Sequence, residues 1–229
     1  IDESDPRFYE EYPADDYLYA ENLDYGATQS DGESAGRAIT SFRANTPNAL
    51  AAFGPFRVVE PTRAVLVGTT DAATPAQFAA LLQTYPQLRT LDLVEAPGTE
   101  NDRANLAVGR MIREAGLTTR VPRGGSVRSG AVELFLAGVE RDIAQGAEFA
   151  VHSWMDAYGR EADDFAMHAQ ENRQYLDYYR EMGMSAEQAR SFYAFTNSVP
   201  HARALWLDAS DMRRWTGRRT QRAQSPARY

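Results

Sequence analysis

The sequence predicts an α/β fold built on a parallel sheet, with a helical appendage beyond the last parallel strand. Three observations predict it. Short apolar runs bounded by turn residues recur at 64–68, 89–94, 117–121 and 147–151, as expected of strands buried on both faces. Segments with helical spacing separate the first of these, so the order is strand, helix, strand, the connection that makes neighbouring strands parallel. After Trp154 the composition turns polar, tyrosine-rich and helical.

Taken in order, residues 1–25 hold nine acids against the single Arg7, with Tyr9, Tyr12, Tyr17, Tyr19 and Tyr25 interleaved. A segment so charged does not build a core alone, and 26–37 reads as a flexible link. The chain therefore divides into an acidic arm and linker at 1–50, one domain at 51–216 and a basic tail at 217–229. Within the domain, strand 64–68 is followed by Thr74 as helix cap, Pro75 in the first turn, and Phe78, Leu81 and Leu82 at helical spacing. Strand 89–94 ends in the turn Glu95-Ala96-Pro97-Gly98-Thr99, which exposes backbone N–H groups at the carboxyl end of a parallel strand. Asn101 or Asp102 caps the next helix, whose stripe Ala104, Ala107, Val108, Met111, Ile112 and Ala115 faces the sheet, and Gly116 ends it.

Strand 117–121 then leads into Gly124-Gly125-Ser126-Val127-Arg128-Ser129-Gly130, a turn opening an apolar helix through Gly138. Strand 147–151 delivers His152 at its carboxyl end. Helices follow within 163–182 and from the capping box Ser185–Gln188 through Ala194. Trp206-Leu207 makes a last short strand, and Asp208 to Asp211 opens a closing helix. The tail after Met212 carries six Arg and no acid, opposite in sign to the arm.

Composition removes whole classes of chemistry. The chain has no Cys, hence no disulfide, thiolate nucleophile or Cys-based metal site. All 24 basic residues are Arg, so Schiff-base chemistry, a Walker lysine and a Ser-Lys dyad are excluded. His152, His168 and His201 are too scattered for a zinc site, so neither metal nor cofactor is expected. A net charge of −8 argues against nucleic acid, and no apolar run is long enough to span a membrane. A start at Ile1 agrees with a removed export signal or a trimmed chain, giving an expected periplasmic or secreted location with the cytoplasm as alternative.

Gly98, Ser129 and His152 each follow a parallel strand and so fall at one edge of the sheet. A serine at a helix start either caps the helix or stands as a nucleophile beside free N–H groups that hold a developing oxyanion. Ser126 is the alternative nucleophile if the turn is offset by three.

Pro97-Gly98-Thr99, then Ser129-Gly130-Ala131 opening an apolar helix that ends Leu136-Ala137-Gly138, then Val151-His152-Ser153-Trp154, resembles the Clp protease proteolytic subunit and crotonase superfamily. More narrowly the chain is similar to exported bacterial members of it, over roughly Arg63 to Trp215. The resemblance implies a spiral of βαβ units, with Ser129 as nucleophile, His152 as general base, and the backbones of Gly98 and Gly130 as oxyanion hole. It implies a serine peptidase or hydrolase acting on a peptide or acyl substrate. It also implies a homo-oligomer assembled through the appendage, here tyrosine-rich between Tyr175 and Tyr193.

The family's aspartate has no counterpart in Pro200–Leu207. Asp208, Asp163 and Asp164 are the candidates to orient His152, each equally readable as a cap or solvated loop, and a Ser-His dyad held by a backbone carbonyl is the remaining arrangement. His168 is expected to be exposed and His201 to lie in a loop. Two other functions fit the sequence: a crotonase-type acyl-thioester binder, and a non-catalytic assembly protein.

Overall fold

The computed structural model describes residues 49–216. The acidic arm and the basic tail lie outside the described residues. Three segments precede the first crossover: β1 (Ala51–Phe53), β2 (Phe56–Glu60) and β3 (Arg63–Val67), antiparallel neighbours turned at Gly54 and at Pro61-Thr62. The first two did not stand out in the sequence, because strands of three and five residues with one half-exposed face carry little apolar periodicity.

From β3 the chain follows the expected order. Helix α1 (Thr74–Thr84) crosses to β4 (Thr90–Ala96), and α2 (Asp102–Glu114) crosses to β5 (Thr118–Val121), all three strands parallel. Thr74 is the first helical residue rather than the cap: its hydroxyl bonds Asp71, whose carboxylate accepts from the Ala73 N–H at 2.9 Å. Asn101 caps α2, accepting from the Ala104 N–H at 2.9 Å. The buried face of α2 is turned from the predicted stripe and runs through Asn105, Leu106, Val108, Gly109 and Ile112. Gly109 sits on it because the Tyr178 hydroxyl occupies the space where a side chain would begin, 1.9 Å from an added Cβ.

The segment 124–128 is not one long turn. Pro122 to Gly125 makes the turn, and Ser126–Arg128 is a strand, β6, parallel to β4 and to β8 (Glu148–Val151). Strand β4 therefore forks: residues 90–92 pair with β5, which pairs with β7 (Glu140–Ile143), while Glu95 and Ala96 pair with β6. Gly125 lies in the fork, where an added Cβ would stand 3.0 Å from the Leu93 carbonyl oxygen. Beyond β6 comes α3 (Ala131–Leu136), all six residues buried, and beyond β8 comes β9 (Leu205–Asp208), antiparallel to it, with α6 (Ala209–Thr216) closing the domain.

Between β8 and β9 lie a 3-10 turn at Ala162–Asp164 and the helices α4 (Gln170–Glu181) and α5 (Ala186–Thr196). The Ser185 capping box is formed in both directions. Tyr175, Tyr178, Tyr179 and Tyr193 are buried within this one chain, Tyr178 against Gly109 of α2 and Tyr178 and Tyr179 bonded to Glu133 of α3. Any assembly contact through this pair would use its other residues. At this size a core of such aromatic content holds the fold without disulfides.

Candidate functional site

Three strand ends meet at one edge. Ser129 directly follows β6, and its own N–H is bonded to the Ala150 carbonyl of β8 at 2.9 Å, so its main chain is fixed two residues upstream of His152. Ser129 has φ +50°, alone among the described non-glycine residues in the left-handed region. A left-handed serine costs free energy that the surrounding structure must offset, and such outliers concentrate where a side chain is aimed for a task. It does not N-cap α3: Gly130 holds the cap position, with no side-chain cap bond.

Gly98, at φ +130°, lies against Ser129; an added Cβ would be 3.0 Å from Ser129 Cβ and 3.5 Å from its Oγ. Only glycine fits that backbone and that approach. A Cβ on Gly130 would stand 2.5 Å from Thr99 Cγ2, so the two glycine turns close on one another. Among the described residues neither the Gly98 N–H nor the Gly130 N–H has an acceptor. Two side chains hold the turns in register. Asn105 donates from Nδ2 to the Gly130 carbonyl at 2.6 Å and accepts from Thr70 Oγ1 at 2.9 Å, while the Thr70 N–H donates to the Gly98 carbonyl at 3.1 Å. Both are buried. Their polar character gave them no place in an apolar stripe, which is why the sequence reading passed over them.

His152 shares a small cleft, partly open to solvent, with Ser129, Gly130, Asp102, Glu133, Trp154 and several tyrosines. No hydrogen bond joins Ser129 Oγ to His152 among the described residues. The His152 Nδ1 lies 2.8 Å from the Ser153 carbonyl oxygen. A carbonyl only accepts, so Nδ1 carries the hydrogen and Nε2 of the neutral ring is left as the basic nitrogen. Burial lowers the imidazole from its ordinary value of 6.5; the Ser153 carbonyl raises it, His201 lowers it further, and Glu161 and Asp102 raise it.

None of the three aspartates considered from the sequence reaches His152. Asp208 caps α6, accepting from the N–H groups of Ser210 and Asp211 at 2.6 and 3.0 Å. Asp164 accepts from the Glu161 N–H at 2.8 Å in a capping box, and Asp163 is exposed. Ser126 Oγ accepts from Arg128 at 2.6 Å and is absent from the cleft lining. His168 is exposed in the turn before α4. His201 lies in the loop after Pro200 and packs edge-on against the His152 ring, its main-chain N–H bonded to Glu161.

The sequence reading also missed two acids in the cleft. Asp102 turns inward from the first turn of α2, and burial raises its carboxyl above the usual range, opposed by the Tyr175 hydroxyl and by the two histidines. Glu133, on α3, is buried, accepts from Tyr179 at 2.7 Å, and is pushed up to about 7 by burial, with Asp102 adding to the rise. A lone acid inside the apolar run Ala131–Leu136 was the available signal for it.

The forked parallel sheet with its crossing helices defines a ClpP-like α/β fold. Among solved structures, a ClpP1 point mutant from Listeria monocytogenes is similar to this chain with a TM-score of 0.50 and 16% sequence identity, over 68% of this chain and 88% of that one. No family model and no curated protein matches the chain. No helix among the described residues is long and apolar enough to cross a membrane, and no group of metal-ligating side chains occurs among them.

Proposed function

We propose that the protein is a serine hydrolase of the Clp and crotonase superfamily, acting as a peptidase, in which Ser129 is the nucleophile and His152 the general base. The observation that carries the reading is the strained Ser129, held between two glycine turns with unoccupied N–H groups on the wall of a cleft that contains His152. Ser129 Oγ attacks the acyl carbon of the substrate while its proton passes to His152 Nε2. The carbonyl electrons move onto oxygen, which the N–H groups of Gly98 and Gly130 receive. His152 then gives the proton to the departing amine, and a water activated by the same nitrogen releases the acyl group from Ser129. The lowered imidazole keeps Nε2 unprotonated at neutral pH, as a base requires. The missing Ser129–His152 bond is compatible with this, since catalytic hydrogen bonds often tighten only when substrate is bound. A homo-oligomer belongs to the same proposal.

The test is intact-mass detection of a fluorophosphonate adduct, with peptide mapping, on wild type, Ser129→Ala and His152→Ala. An adduct on Ser129 that is lost in both variants supports the hydrolase. A folded wild type that stays unlabelled while binding acyl-thioesters favours the crotonase-type acyl binder, which uses the same N–H pair without a nucleophile.

A further inference from the structure

The cleft beside Ser129 is acidic, and among the described residues no arginine lines it. Asp102 comes to it from α2 and Glu133 from α3. His152, the one basic group in the lining, is lowered by burial and neutral when it acts as a base. Two desolvated carboxyl groups near one another are unfavourable unless a positive partner arrives or a proton is kept. The remaining wall is aromatic. Trp154 and Tyr175 lie nearly parallel, 16° apart in plane with centroids separated by 6.1 Å, and Trp154 Nε1 is fixed by a 2.7 Å bond to Tyr193 Oη.

A second observation concerns the aromatic wall. The Tyr175 side chain is only 6% exposed, and its hydroxyl lies near enough to Asp102 to lower that carboxyl, yet among the described residues it closes no hydrogen bond of normal length. Buried hydroxyls are nearly always paired, so a group entering between Tyr175 and Asp102 would find both under-satisfied. Planar aromatic faces and carboxylates together are the surroundings that a guanidinium or ammonium group prefers.

We propose that this cleft is the substrate's side-chain pocket and receives a guanidinium or ammonium group, with Asp102 and Glu133 as its counter-charges and Trp154 and Tyr175 as its aromatic wall. The placement next to the reacting carbonyl rests on the hydrolase reading above. It makes the preferred substrate an acyl compound bearing an arginine-like or lysine-like side chain, in place of one with an apolar side chain. Asp102 and Glu133 thereby determine specificity.

Calorimetric titration with benzamidine and with its neutral counterpart benzamide, on wild type, Ser129→Ala, Asp102→Asn and Glu133→Gln, tests it apart from catalysis. Benzamidine is expected to bind wild type and Ser129→Ala alike. Its affinity is expected to fall about tenfold or more in whichever acid variant folds, as judged by circular dichroism, and benzamide is expected to bind none of them measurably. Equal binding of the two compounds, no binding of either, or full affinity in a folded acid variant would overturn the proposal. A fluorophosphonate adduct on Ser129 without benzamidine binding removes the cation pocket and leaves the hydrolase. Benzamidine binding to a protein that forms no adduct keeps the pocket and removes the hydrolase.

Discussion

His152 and His201 meet edge to face, ring centroids 4.6 Å apart and planes at 88°, and both direct Nδ1 at the same acceptor, the Ser153 carbonyl, at 2.8 and 3.1 Å. Sharing one carbonyl fixes the tautomer of both rings. It also means that the His201 ring disfavours the charging of His152, on top of the larger effect of burial. In the variant His201→Phe the His152 imidazole is therefore expected to titrate at higher pH than in wild type. The pH dependence of fluorophosphonate labelling, or the ring proton shifts of His152, measures this; an unchanged midpoint would show that the pair is not electrostatically coupled.

Gly98→Ala is expected to be folded but slow. The side chain would have to adopt φ +130° and press on Ser129 Cβ at 3.0 Å. Strain of this kind costs about 1–3 kcal/mol. Displacing the serine or the N–H beside it by about an ångström slows reaction about a hundredfold. Denaturant melts and labelling rates on the same preparation separate the two effects.

Asn105→Ala tests whether the two glycine turns are held together by a side chain. The substitution strands the Gly130 carbonyl, at a cost of about 1–3 kcal/mol for a buried group left unpaired, and leaves the Thr70 hydroxyl only its longer 3.4 Å bond to the Gly98 carbonyl. The labelling rate is expected to fall with no shift in its pH midpoint, because Asn105 acts on position and carries no charge. A shifted midpoint would show an effect routed through His152 instead.

Glu133 makes stability depend on pH in a definite direction. Its folded value of about 7 stands above the ordinary 4.5, so the folded chain binds the proton more tightly than the unfolded chain. Its stabilising contribution is complete below 4.5 and is lost as pH rises to about 7. Asp102, also raised, acts in the same sense and is present in both proteins to be compared. Across that interval wild type is expected to lose up to about 3 kcal/mol more stability than Glu133→Gln. Parallel pH curves for the two proteins would place Glu133 in water rather than in the core.

Gly109→Ala is expected to destabilise by about 1–3 kcal/mol or more through overpacking. The added methyl carbon would fall 1.9 Å from the Tyr178 hydroxyl, which itself bonds the Glu133 carbonyl at 2.7 Å. Tyr178→Phe removes part of that obstruction, so the double variant is expected to be less destabilised than the sum of the singles.

What the sequence made legible were the features that depend on local pattern. The runs at 64–68 and 147–151 could be read as strands because both faces are buried, and Ser185 could be read as a cap because its partner Gln188 is three residues away. The placing of Gly98, Ser129 and His152 at one edge was read from strand order, with strand 117–121 taken for the one that delivers Ser129, which β6 does instead. The fork of β4 could not be read, since β6 is three residues long and sits inside what looks like a glycine-rich turn. Nor could Asp102 and Tyr175 be assigned to the cleft, or Asn105 to the glycine turns beside it. Each is polar at a helical position, where solvent is the ordinary destination, and only the packing of α2, α3 and α4 turns them inward.

The group that orients His152 is a piece of main chain. Every residue type supplies the same carbonyl, so no missense change at Ser153 deletes the acceptor; only a change in the path of the chain does so. A lineage carrying this arrangement is free to vary the acids around the histidine without losing its tautomer. A search for the fold's relatives keyed to a third side chain would pass over all of them.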